Sequence, residues 1–230
     1  MDERRWERLG AVLGLVLIAV VVVAVLLTGS PPKPTDSDAT VKAYLLDKRG
    51  AYLAQAVMIA IGLGLFAWFV AVVRGVLHRA GGDMYMVDVF YGAALISIAV
   101  TLVACAVAIG LVYKALPGTN AGTARMVFDM SSVMFTLAGA IWAVGAFAFA
   151  AVVMQTNALP RWTVWLAEAW GVTSLASVFM VLSKTGGFSV EGWFGFLPFA
   201  LSMVWVLGTS VALLRPEMAH APAPQAAAHA

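Results

Sequence analysis

The sequence predicts an all-α polytopic membrane protein, a six-transmembrane-helix bundle. Three observations lead there: six apolar runs each near the length of a bilayer crossing, short polar connectors between them, and few charges inside them. The runs cover residues 9–28, 51–74, 87–113, 126–155, 162–183 and 193–214. A hydrocarbon core of about 30 Å needs about 20 helical residues, and each run meets or approaches that length. With 62% hydrophobic and 11% charged residues and a mean hydropathy of +0.92, the 230-residue chain lacks the polar shell of a soluble globule, so the lipid bilayer is its first partner. Residues 1–215 make one bundle with no room for a soluble domain, and the Ala/Pro-rich residues 216–230 are expected to be a disordered tail.

The elements follow in order. The first run stands behind Arg4, Arg5 and Arg8, as a signal peptide would. Its apolar core is about twice the usual length for such a segment, and no A-x-A site precedes Ser30-Pro31-Pro32, so a retained anchor helix is expected. Residues 29–50 form a loop beyond the membrane. Within it, Ser30 to Asp38 is too rich in Pro, Ser and Asp for regular helix. Asp38 to Arg49 carries Val41 and Leu45 four apart, with Asp38 as N-cap and Gly50 as stop, and predicts a short interfacial helix. Gly, Pro and Asn mark turns at Ala80–Asp83 and Pro117–Gly122, and Pro160 suits the start of the fifth span. Gly192, Gly195 and Pro198 predict a kink in the sixth. The tryptophans at 162, 165, 170, 193 and 205 are expected as interfacial anchors and packing residues.

Charge limits function and bears on orientation. Fourteen basic and twelve acidic residues give a net charge of +2, which makes no basic face for nucleic acid. Cys105 is the only cysteine, so an intramolecular disulfide and a Cys-rich metal site are excluded. If the N-terminus is inside, Arg4, Arg5, Arg8, Arg74, Arg79, Arg161 and Arg215 fall on the inner side. An equal number of cations falls outside: Lys33, Lys42, Lys48, Arg49, Lys114, Arg125 and Lys184. The arginine-rich flank of the first helix and the acidic residues among the outer cations favour both termini in the cytoplasm.

The segments ERRWERLGAVLG, DATVKAYLLDKRGAYLAQA, LFAWFVAVVRGVLHRAGG and LPRWTVWL, with a last helix ending VALLR, resemble a group of uncharacterised multi-pass membrane proteins common in actinobacteria. The resemblance implies an integral protein of the plasma membrane and supplies no catalytic residue.

Candidate chemistry lies with polar residues inside the spans. Glu168 stands seven residues past Arg161, about 10 Å along its helix, where a carboxylate must face the bundle interior, pair with a cation or be protonated. It reads either as a proton or cation site or as a structural partner of Arg74. In the fourth span Asp129, Ser132, Thr136, Gly139 and Ala143 share one stripe, which lines a hydrated path or forms a close-packing seam. The comparable stripe Ser97, Thr101, Ala104 and Ala108 of the third span is a candidate to pack against it. Asp88, near a span end, reads as a cap or an interfacial charge. Asp129 and Glu168 belong to opposite leaflets, so they cannot share a proton. Metalloprotease, hydrolase and nucleotide-binding motifs are missing, and His78, His220 and His229 lie outside the spans. No enzyme, cofactor or metal is therefore expected. The leading expectation is a structural or interaction protein that binds other membrane components or itself. The alternative is a small proton-coupled transporter or channel using Glu168 and the Asp129 stripe.

Overall fold

A computed structural model describes residues 3–33, 35–115, 118–183, 185–190 and 192–215, so the expected tail lies outside the described residues. Among these there are seven α-helices and no strand: α1 (Glu3–Thr28), α2 (Asp38–Asp47), α3 (Arg49–Arg79), α4 (Met84–Gly110), α5 (Ala121–Thr156), α6 (Trp162–Val178) and α7 (Phe196–Leu214). All but α2 belong to six helical segments long and apolar enough to cross a membrane. The chain thus has the all-α, multi-pass architecture its hydropathy predicts.

The helix ends show how local chemistry sets the boundaries. The N-cap of α2 is Ser37, not Asp38: the Ser37 hydroxyl accepts from the Thr40 amide, and Asp38 is already the first helical residue. Gly50 is not a stop. Its backbone is not left-handed, and it lies in the first turn of α3, separated from α2 only by Lys48. The amide of Lys48 donates to Tyr44 and that of Tyr52 to Lys48, so the chain bends there with its hydrogen bonds intact. Asn120 caps α5 through the Thr123 amide and starts that helix at Ala121, ahead of the expected residue 126. Pro160 precedes α6, and its carbonyl accepts from the Thr163 amide and hydroxyl. Pro198 does not kink a helix. A 3-10 turn, Trp193–Gly195, leads into α7, which puts Pro198 in the first turn, where an amide hydrogen would lack a partner in any case.

The six long helices form a closed ring in the order α1, α3, α4, α5, α6, α7 and back to α1. Small residues let α1 fit between its neighbours. A Cβ on Gly10 would lie 2.6 Å from Val72 of α3, and one on Gly14 would lie 2.2 Å from the Ser210 hydroxyl oxygen of α7. The start of α1, the α3–α4 and α5–α6 turns and the end of α7 share one end of the bundle, called here the terminal end; α2 covers part of the other, distal end.

In the terminal half the ring is filled by aromatic side chains. Trp205, fully buried, has ring centroids 5.0 Å from Phe149, 5.2 Å from Trp170 and 5.9 Å from Phe69. Phe90 packs 5.6 Å from Phe149, and Trp142 lies 5.6 Å from both Phe66 and Trp170. Edge-on pairs such as Phe149 with Trp205 contribute about 0.5–1.5 kcal/mol beyond area burial. A second, smaller core forms at the distal end, where Val41 and Leu45 of α2 pack against Leu111, Val112, Ala124 and Phe128.

Candidate functional site

Arginines fix the acidic residues that the sequence singles out near the membrane boundaries. Arg125 Nε donates to both carboxylate oxygens of Asp129 at 2.8 and 2.9 Å, and its Nη1 donates to the Asp36 carbonyl at 3.0 Å. Asp129 is therefore neutralised one turn away on its own helix and helps tie the loop before α2 to α5. Arg74 donates to Asp88 from Nε at 3.1 Å and from Nη2 at 2.7 Å, and its guanidinium lies 5.4 Å from the centre of the Tyr91 ring. The expected Arg74–Glu168 pair is thus corrected. Asp88, three residues from Tyr91 on α4, faces Arg74, whereas Glu168 is on α6, which is not a ring neighbour of α3. Glu168 is half-buried and makes no ion pair or hydrogen bond with the described residues. The cap expected at Asp88 is supplied instead by Asp83, whose carboxylate accepts from the Met86 amide at 3.0 Å.

Further cations hold the distal end together through backbone carbonyls. Arg49 donates from Nε to Val112 at 3.0 Å and from Nη2 to Tyr113, and Lys42 donates to Thr119 at 2.6 Å. These carbonyls stand where α4 passes into a π-helical turn, Leu111–Ala115, and where the chain approaches α5. The Tyr44 hydroxyl donates to the Thr28 carbonyl, the last of α1, at 2.9 Å, and burial raises the pKa of this phenol.

The stripe on α5 serves two purposes. Gly139 is a close-packing contact: a Cβ there would lie 2.4 Å from the Ser174 carbonyl oxygen and 2.7 Å from the Ser177 hydroxyl oxygen, so the seam is with α6 rather than with the third span. Thr136 and Ser132, one and two turns nearer the distal end, line a cavity of about 540 Å³. This cavity occupies the distal half of the ring. Its floor is Phe66, Trp142, Trp170 and Trp205, the upper face of the aromatic core, and its outer rim includes Pro31, Val190 and Gly192. Among the described residues no Asp, Glu, Lys, Arg or His lines it, so neither Glu168 nor Asp129 faces the space.

Its polar surface comes from hydroxyls. Ser132 donates to the Phe128 carbonyl at 3.2 Å, Thr136 to Ser132 at 2.9 Å, Ser177 to Ser174 at 2.7 Å and Ser202 to Phe199 at 2.7 Å. Each bond lies within one helix, so these side chains cross an apolar segment without an unsatisfied proton. Thr101 of α4 also contributes to the lining. Ser174, Ser177 and Ser202 were not legible as site residues, because single hydroxyls in apolar runs look like ordinary helix-bonded serines. A signal does exist: Ser174 and Ser177 share a face with Gly171, and Ser202 stands one turn before Trp205.

The site can enclose an apolar molecule and offer it hydrogen bonds. Among the described residues it presents neither a charged group nor a nucleophile–base pair for covalent chemistry, and no three His, Cys, Asp or Glu residues come together there. No protein-family model, curated protein or solved structure matches this chain.

Proposed function

We propose that this chain is a non-enzymatic interaction protein of the plasma membrane that holds an apolar molecule in the distal cavity. The observation that carries this reading is a space of about 540 Å³, bounded by helices of one ring, free of ionisable side chains among the described residues and floored by aromatic rings. Sites for small organic ligands span about 300–1,000 Å³ and are mainly apolar with a few polar groups, as here. The arginine-rich flank of α1 supports both termini in the cytoplasm, which turns the cavity toward the outer leaflet. The resemblance to actinobacterial multi-pass proteins supports the plasma membrane as its location. No nucleic acid, metal or organic cofactor enters this reading.

Binding of a fluorescent hydrocarbon probe to purified protein in lipid nanodiscs tests the proposal, with Ile59→Trp, which fills the lining, as the blank. Saturable binding and a raised Tm in the parent, both lost in Ile59→Trp, are expected. No saturable component above partition into the lipid would overturn the reading.

The proton-coupled alternative draws on one observation, a half-buried Glu168 without a partner among the described residues. It conflicts with the position of that carboxylate outside the cavity lining and with the neutralisation of Asp129 by Arg125. Proton flux into reconstituted vesicles that Glu168→Gln abolishes would establish the alternative instead.

A further inference from the structure

The outer face of α6 carries a feature that is independent of the cavity. Gly171 and Ser174 of this helix meet α5 at Phe147 and Gly139, Trp162 and Leu166 meet Gly208 of α7, and Trp170 turns into the aromatic floor. At about 100° per residue, the sector left over holds Trp165, Glu168, Val172 and Leu175, with Phe179 just past the helix end. Their alternate spacing of three and four is that of a seam for another helix. Trp165 is 70% exposed, and Val172, Leu175 and Phe179 are exposed as well, so no described element covers this stripe.

An apolar stripe facing lipid is ordinary, but a carboxylate within one is not. Glu7, Asp88 and Asp129, the other acidic residues of the six spans, pair with Arg79, Arg74 and Arg125. Glu168 alone among them has no ion pair or hydrogen bond with the described residues. Lipid chains offer it no charge, and headgroup ammonium groups stay near the level of Arg161, about 10 Å back along the helix. We propose that this face binds a transmembrane helix of another protein that carries a lysine or arginine at the depth of Glu168. The apolar positions of the stripe supply packing, and the carboxylate sets register and selects a cation. A second copy of the chain does not answer the charge, because copies inserted in the same direction and related by a two-fold axis would set Glu168 against Glu168.

The test measures energy transfer between labelled full-length protein and labelled Leu-rich transmembrane peptides in phosphatidylcholine vesicles, with lysine, glutamine or leucine at the centre of the peptide. The centre of a core about 30 Å thick lies about 5 Å beyond Glu168, so a lysine there reaches the carboxylate in either peptide orientation. The lysine peptide should associate roughly 5- to 30-fold more tightly than the leucine peptide, and the advantage should vanish in Glu168→Gln. Glu168→Lys should reverse the preference in favour of a peptide with a central glutamate. Equal association of the lysine and leucine peptides with the parent would overturn the proposal without recourse to any variant. A glutamine peptide that binds as tightly as the lysine peptide would overturn the demand for a cation. An advantage retained in Glu168→Gln would overturn the role of this carboxylate. Self-association of the parent that displaces the lysine peptide and is lost in Glu168→Gln would overturn the proposal in favour of a second copy.

Discussion

Arg74 illustrates how a single cation sorts the polar residues of a membrane protein. It stacks over Tyr91 and bonds twice to Asp88, although both side chains remain about half exposed. Exposed pairs contribute about 0–1 kcal/mol, so a double-mutant cycle with Arg74→Gln and Asp88→Asn should show a coupling below about 1 kcal/mol. Glu168→Gln should change stability by less than about 0.5 kcal/mol, since no described residue loses a partner. Tyr44 gives a pH signature. Burial raises its pKa above the ordinary value of about 10, so its contribution is complete below about pH 10 and declines as pH rises through the folded-state value. Denaturation midpoints should fall above about pH 10, and Tyr44→Phe should flatten that limb.

At the scale of elements, Gly139 is the most demanding contact between α5 and α6. Gly139→Ala should cost about 1–3 kcal/mol because the added carbon meets a carbonyl oxygen that cannot withdraw without moving α6. Gly64→Ala is the control, as a Cβ there meets nothing within 4 Å, and should stabilise by about 0.5–1 kcal/mol through helix propensity. Melting curves of the two variants in one detergent check the contrast. Arg125 plays the same part for the distal loop: Arg125→Met should speed amide exchange in α2 because it frees both Asp129 and the Asp36 carbonyl.

The elements themselves were legible in the sequence because the hydrophobicity needed to face lipid is a local property of each run. The stripe on α5 was legible as a stripe but ambiguous in purpose. Whether Ser132 and Thr136 meet another helix or a space depends on α7, more than sixty residues further on. Glu168 drew attention for its charge at depth, yet the rotation of α6 turns Trp170 and Ser174 inward and leaves the carboxylate outside the cavity lining. The Gly10 and Gly14 pair, four apart in the first span, carried a packing signal that a search for polar residues passes over.

For the molecule as a whole, sidedness is the property to measure first. In a Cys105→Ala background, Thr35→Cys should react with a membrane-impermeant maleimide in intact cells, and Ala80→Cys only after lysis. The opposite pattern would turn the distal cavity toward the cytoplasm and invert the proposed orientation.

The ring order also governs biogenesis. Each seam between sequence neighbours can form once its second helix has been synthesised, but α1 is flanked by α3 and α7, so the wall closes between the first span made and the last. Until α7 leaves the ribosome, the hydroxyl of Ser202 and the indole of Trp205 are missing and the seams of α7 with α6 and α1 cannot form. A translation arrest after α6 should therefore yield an inserted but protease-sensitive intermediate. Supplying α7 as a separate peptide should restore protection if helix docking alone completes the assembly.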